Sequence, residues 1–593
     1  MTTRNGGDHL DAARHSPTPQ NPARPTPDGR ADHRERGSIP ELPTAPGAAG
    51  ADAPPSRRRR WAVLAVLLLP VLLVSVDNTV LSFALPQISA ALMPSGTQLL
   101  WIVDVYPLVL ASLLVPMGAL ADRVGRRRLL LIGSTGFAVV SALAAYAPSA
   151  EWLIAGRAGM GLFGAMLMPS TLSLIRNVFT DRRELRLAIA VWAAGFSAGA
   201  ALGPIVGGLL LEHFWWGSVF LMSVPVLTLM LVAAPFVVPE SRDPRPAPFD
   251  ITSILLSVAT ITPVVYGIKE VAKHGFTALA LATIAAGLLA GVVFVRRQLR
   301  RAEPMLDVRL FASPAFGGGV LVNLLSVVAI TGFIYFVSQD LQLVVGLSPV
   351  DAGFALLPGL LATIVAGLLV VKVVAHVAPG RVIAACMSFA AVGYATLALA
   401  GGAGTLWPVV IGFVFLAVGA GAAETVSNDL ILSSAPAGRA GAASAISETA
   451  YELGAVLGTA ILGGIMSAGY HRSVVLPDGL TAAQQHAASE TLGGATSIAG
   501  ELDPARSQAL LDSAHSAFAG SVVVTSWIGV ALMLAAVVVS LAILTRPAVV
   551  EMEEHVVDAS VPGPGDPLDE LAELVSAADA ERDADRVGAP PRR

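Results

Sequence analysis

Charge, cysteine and aromatic side chains are all scarce in this sequence. One cysteine, Cys386, stands among 593 residues, which excludes a disulfide framework and a thiolate metal cluster. Charged residues make up 14% and aromatic ones 6%, against 54% hydrophobic. An ordinary soluble domain is about a quarter charged, so this is not one. The phosphate loop Gly-x-x-x-x-Gly-Lys-Ser/Thr is absent, which argues against ATP-driven pumping. The sequence asks for no cofactor, no metal ion and no nucleic acid. The net charge of −5 says little, because the charges are segregated by loop.

What fills the chain is a series of apolar runs of eighteen or more residues, each long enough to cross a bilayer. They predict fourteen spans near 61–86, 99–121, 129–148, 152–175, 187–211, 216–238, 250–270, 276–295, 315–338, 350–374, 381–401, 405–433, 441–468 and 517–545. The loops check the count. With both termini cytoplasmic, the inner loops hold Arg123–Arg128, Arg176–Arg186, Arg242 with Arg245, Arg296–Arg309, Lys372 with Arg381, and Arg439. The outer loops hold only Lys269, Lys273, Arg472 and Arg506. This is the positive-inside pattern of a multi-pass plasma-membrane protein.

Fourteen spans leave two six-helix halves, 61–238 and 315–545, and an inserted pair at 250–295. Polar residues are few in that pair, which predicts a peripheral position and no substrate chemistry. Residues 1–60 and 546–593 read as disordered cytoplasmic tails, the second with a short helix at 567–580. No secretory signal is evident in 1–56. In the long outer loop 470–516, Thr481–Leu492 and Asp503–Phe518 are helix-permissive and separated by Gly-Gly-Ala-Thr-Ser and Gly500. That pattern predicts a helical hairpin on the outer mouth.

Between the second and third spans the chain reads Gly-Ala-Leu-Ala-Asp-Arg-Val-Gly-Arg-Arg-Arg. Hydrocarbon rejects such a cluster, since one charge at mid-bilayer costs about 2.5–3.5 kcal/mol even on lenient scales. It is a short water-facing turn, and Gly125 allows it to be tight. Asp122 has arginines nearby to pair with. Gly118, Asp122, Arg123, Gly125, Arg126 and Arg127 resemble the signature loop of the major facilitator superfamily. The resemblance implies an all-α polytopic bundle of two six-helix halves around a central cavity, with this loop as a gating latch.

Further motifs extend the resemblance over roughly 60–545. Span 1 carries Asp77 in Asp-Asn-Thr-Val-Leu-Ser-Phe-Ala-Leu-Pro. Asp77, Thr79, Ala84, Leu85 and Pro86 match the family pattern, with Ser82 where Asn is usual. A carboxylate in such a setting marks a proton or cation site by default, or else a structural cap near a bend. Span 2 opens with Trp101, Asp104 and Tyr106. This stretch resembles the drug:proton antiporter-2 family, and Asp104 resembles its exporters of quaternary ammonium and other lipophilic cations. Aromatic faces beside a carboxylate suit a delocalised cation. The two aromatics alone are also compatible with an interfacial belt.

In span 4, Arg157, Gly161 and Ala165 resemble the superfamily's Arg-x-x-x-Gly-x-x-x-Gly/Ala element, which implies a part in proton transfer. The plainer alternative is a snorkelling arginine. Span 5 holds Gly195, Gly199, Gly203, Pro204, Gly207 and Gly208. Glycines four apart let helices approach closely, and Pro204 bends the helix. The Gly-Pro-x-x-Gly-Gly form resembles the antiporter motif of exporters. In the second half, Asp340 and Asp351 read as solvated mouth residues. Glu424 lies deep in span 12 and Asp429 near its inner end. Glu448 and Glu452 share one face of span 13, with Tyr451 beside them.

These expectations describe a proton-coupled exporter of lipophilic organic cations, not an enzyme, working as a monomer in the lipid bilayer by alternating access. Asp77, Asp104, Glu424, Glu448 and Glu452 carry charge and protons, while Asp122, Arg123 and Arg126 gate. Three alternatives compete. They are export of a neutral or anionic natural product, proton-coupled import, and a membrane sensor that transports nothing.

Overall fold

The computed structural model describes residues 56–242, 250–301, 304–401, 404–436 and 439–544. Both expected tails beyond these limits, the helix expected at 567–580 and Arg245 lie outside the described residues. Fourteen helices are long and apolar enough to cross a membrane. Spans 1–6 are Arg57–Leu92, Gly96–Val124, Arg126–Ala145, Ala150–Val178, Arg182–His213 and Ser218–Val237. Spans 7 and 8 are Ile251–His274 and Ala278–Arg300. Spans 9–14 are Pro314–Val344, Pro349–Val374, Pro379–Leu399, Leu406–Ser433, Ala442–Ser473 and Pro504–Ile543. A helix satisfies its own backbone polar groups, as hydrocarbon requires.

Local chemistry sets the helix ends. Ser95 and Gln98 form a capping box at the start of span 2. Asp181, Asp250, Thr277, Ser313, Ser348 and Asp503 accept first-turn N–H groups of spans 5, 7, 8, 9, 10 and 14. Gly125 alone joins spans 2 and 3, at φ 116°, a backbone that other residues rarely adopt.

Three boundaries differ from expectation. Arg57–Arg60 belong to the first helix, not to a tail, and Arg60 pairs with Glu184 of span 5 at 2.7 Å. The stretch 503–518 is no separate helix, because Asp503 caps one continuous helix from Pro504 to Ile543. The supposed Gly-Gly-Ala-Thr-Ser separator is itself helical, within Leu492–Ala499, and follows the helix Ala482–Glu490. Thr491 explains this, since its hydroxyl accepts the Gly494 N–H and starts the second short helix.

Spans 1–6 pack on one another, and spans 9–14 do the same. The two groups meet along span 5 with span 10, span 2 with span 13, and span 1 with span 9. Polar contacts across this interface gather toward the Leu92 end of span 1. Ser338 donates to the Ser82 carbonyl at 2.8 Å, and Gln342 to that of Phe83 at 3.1 Å. The Glu490 carboxylate, from the short helix after span 13, accepts the Gly96 N–H at 2.8 Å. Spans 7 and 8 are both largely exposed, and span 7 lies against span 2 and the Thr459–Ser473 part of span 13.

Candidate functional site

Span 1 presents Asp77 and span 4 presents Arg157 to the same interior point. Arg157 Nη1 lies 2.6 Å from Asp77 Oδ2, with the side chains 2% and 5% exposed. Arg157 Nε donates to the Ile102 carbonyl at 3.2 Å, and its guanidinium lies 4.4 Å from the centre of the Tyr106 ring. Arg157 is therefore buried and paired, not snorkelling. Gly161 lets spans 2 and 4 come this close, since a Cβ there would sit 2.7 Å from the Tyr106 carbonyl oxygen.

A second polar group comes from spans 12 and 13. Ser447 donates to the Asn428 side chain at 2.9 Å, which holds the two helices in register. Glu424 and Glu448 then stand within electrostatic reach of each other, both half-buried. One turn on, Glu452 is buried and neighbours Asn78 and Arg157 across the interface. One oxygen of Glu448 and one of Glu452 has no hydrogen-bond donor. Tyr451 packs edge-on against Phe196 of span 5 at 5.7 Å. The acidic residues of the second half thus continue, through Glu452 and Asn78, into the Arg157–Asp77 pair of the first.

Asp104 departs from expectation in two ways. The close spacing of Trp101, Asp104 and Tyr106 permits one shared face, but the structure divides them. Tyr106 follows Asp104 by two residues, about 200° around the helix, and faces Arg157 instead. Asp104 is also not a lone carboxylate. Lys269 of span 7 places Nζ 2.8 Å from Asp104 Oδ2, with the side chains 2% and 0% exposed. The same Nζ lies 3.8 Å from the centre of a Trp101 ring. Thr459 of span 13 also lies beside the Asp104 carboxylate. Lys269 is therefore no outer-loop residue, and span 7, though largely exposed, brings a buried charge to span 2.

The charged turn after span 2 is braced within its own half. Asp122 pairs with Arg126 at 2.8 Å. Arg126 donates to the Ser241 hydroxyl at 3.1 Å, and the Arg127 N–H to Glu240 at 3.1 Å. Arg123 is exposed and makes no ion pair among the described residues. Gly118 faces Pro169 of span 4. In span 5, Gly195, Gly199, Gly203 and Gly207 all face span 1. A Cβ at Gly199 would come 2.8 Å from the Leu72 carbonyl oxygen, and one at Gly203 would fall on the Thr79 hydroxyl. Gly208 turns the other way, where a Cβ would sit 2.7 Å from backbone atoms of Pro349 and Val350. Pro204 lies opposite Gly353.

Residues 67–459 match the family description Major Facilitator Superfamily. The chain belongs to the major facilitator superfamily. It is 56% identical over 481 residues to the multidrug efflux pump LfrA of Mycolicibacterium smegmatis, covering 81% of this chain and 95% of that protein. It is 38% identical to the methyl viologen resistance protein SmvA of Salmonella typhimurium, over 78% and 93% of the two chains. Within the superfamily it groups with such drug efflux members. A bacterial homologue of the human lysosomal transporter Spinster, in an inward-facing and unoccupied conformation, shares the fold. The TM-score is 0.55, the identity 18%, and the coverage 83% of this chain and 100% of that one.

Several polar residues of this membrane transporter gave no sequence signal. Glu240 and Ser241 follow span 6 and look like ordinary end-of-helix polar groups, yet they anchor the charged turn. Asp340, which reads as a mouth residue, is 2% exposed in a π-helical segment, with one oxygen lacking a donor. Asp351 is exposed, as expected, and bonded to Ser348. Asp429 is exposed near the end of span 12. A cavity of about 480 Å³ opens between spans 10, 11 and 12, lined by Val365, Leu369, Cys386 and Phe389 among others. No carboxylate and no member of either polar group lines it, so it is not the site. No group of three or more His, Cys, Asp or Glu is placed to hold a metal among the described residues.

Proposed function

We propose that this transporter exports lipophilic organic cations, driven by protons moving inward across the plasma membrane, with both chain termini in the cytoplasm. The observation that supports this most is the unbroken acidic path from Glu424 through Glu448 and Glu452 to Arg157 and Asp77. Charged groups inside a membrane bundle are expensive and mark ion or substrate pathways. Unpaired carboxyl oxygens at Glu448 and Glu452 leave room for a proton or a cationic ligand. With the Arg57 end inside, the polar contacts between halves lie at the outer end, which fits an inward-open state of an alternating-access cycle. A proton arriving from outside neutralises the acidic site and releases the cation; its loss to the cytoplasm restores the site.

The relatives named above support drug export. Lys269 favours a second reading, because it already neutralises Asp104 and leaves the helix interior less negative than the sequence suggests. A neutral or anionic natural product then becomes a candidate, and a tetracenomycin C resistance and export protein of Streptomyces glaucescens is 33% identical over 88% of this chain. Uptake of matched monocationic, dicationic and neutral compounds into inverted vesicles, with and without a proton gradient, tests both. Gradient-driven uptake of cations that Glu448→Gln abolishes is expected. Uptake confined to neutral compounds overturns the cationic reading, and uptake indifferent to the gradient overturns proton coupling.

A further inference from the structure

The arrangement at Asp104 is that of an occupied cation site. An ammonium lies over an indole face and against a carboxylate, both shielded from water, the geometry by which proteins hold organic cations. The occupant belongs to the chain itself. Lys269 is one of only three lysines in the sequence, and it comes from the inserted span 7.

The pair is not built as a purely structural bridge. Buried ion pairs repay their desolvation only with good geometry and further hydrogen bonds. Here the polar neighbours of the Asp104 carboxylate are Lys269 and Thr459, and beyond Asp104 the Lys269 ammonium has no further acceptor among the described residues. The position is suggestive too. Span 7 packs where spans 2 and 13 meet, with Val265 against Leu108, Val456 and Ala460. Span 13 adopts a π-helical turn there, Thr459–Gly463, and such turns recur at functional sites. In the alternating-access cycle proposed above, parting of this seam would uncover Trp101 and Asp104.

We propose that Lys269 is a specificity-determining residue, a tethered cation that holds the Trp101–Asp104 site and that an organic cation must displace to bind there. The idea deepens the cation-export reading and rests on it. Lys269 sets a threshold. Cations that outcompete an ammonium on Trp101, being larger and more delocalised, gain the site, whereas small hydrated cations do not. The inserted helix pair, by this account, carries a working part of the outer gate.

The test uses full-length protein in nanodiscs and equilibrium binding of tetraphenylphosphonium, with a neutral compound of matched size as control. Lys269→Met removes the resident charge but keeps the side chain's bulk. It is expected to tighten tetraphenylphosphonium binding about tenfold or more, the scale of a desolvated cation–π contact, and to leave the neutral compound unchanged. Adding Asp104→Asn to Lys269→Met should abolish the gain, and Lys269→Gln, which removes the charge but keeps a polar head beside Asp104, gives the same reading if Lys269→Met folds poorly. Tighter binding of both compounds, a gain that survives Asp104→Asn, or unchanged cation binding by a folded Lys269→Met overturns the tethered-cation role while leaving cation export standing. If neither the wild type nor any variant binds the cation, the export reading and this one fall together.

Discussion

Arg157 and Asp77 lie eighty residues apart in sequence and 2.6 Å apart in space, both buried. Each satisfies the charge that the other half of the pair would otherwise leave in a low-dielectric interior. Removing one partner from such a pair typically costs about 3–5 kcal/mol, because a bare charge remains. Arg157→Ala is therefore expected to lower the thermal unfolding midpoint sharply in detergent. Joining Arg157→Gln with Asp77→Asn should recover much of that midpoint without recovering vesicle transport. Full transport by the double variant would show that the pair is only structural.

The charged turn predicts a separation of rate from affinity. Asp122→Asn and Arg126→Ala should slow turnover with little loss of equilibrium drug binding, since the turn is remote from Glu448 and Asp77 along the helices. Glu240→Gln should behave alike, because Glu240 accepts the Arg127 N–H and neighbours two arginines. Parallel measurement of efflux and of drug binding decides the point. A fall in binding as large as the fall in transport would remove the gating role.

Glycines of span 5 divide into two functional groups. Gly203 faces Thr79 within its own half, so Gly203→Leu should abolish efflux even when the protein reaches the membrane. Gly208 faces Pro349 across the interface, so Gly208→Leu should hold the halves apart at the Leu92 end. Ser82→Cys with Ser338→Cys, in a chain whose Cys386 is replaced by Ser, reports that distance by crosslinking. Crosslinking is expected to fall with Gly208→Leu and to stay with Gly203→Leu. Normal efflux from a properly inserted Gly203→Leu protein would end the close-packing argument.

The inserted pair carries a pH-dependent clasp. Asp250 caps span 7 and pairs with Arg297 at 3.0 Å and with Arg301 at 3.2 Å. Burial opposes its charge, but the Arg297 and Ser253 hydrogen bonds prevail and hold its carboxyl below the usual carboxylate range. A depressed value contributes stability that is whole above the unfolded value and lost as pH falls through the folded one. The midpoint difference between wild type and Asp250→Asn should be constant near neutrality and shrink below about pH 4. A difference that grows on acidification would contradict the clasp.

Much was legible because the bilayer imposes strong rules. Eighteen-residue apolar runs, arginine-rich loops and Gly125 determine fourteen helices and the tight turn, since hydrocarbon permits little else. The glycine face of span 5 was legible as well, because helical periodicity puts Gly195, Gly199, Gly203 and Gly207 in one row. Pairings between distant segments were not. Lys269 reads as an outer-loop residue by hydropathy, and only docking of span 7 on span 2 brings it to Asp104. Tyr106 differs, since two residues turn a helix by about 200° and already part it from Asp104; only its partner, Arg157, had to come from the fold. A sequence by itself determines which groups must avoid lipid; the tertiary structure decides which partner each one finds. The physical reason is that a buried charge can be met by any opposite charge within a few ångströms, and the approach of helices, not their order, places that charge.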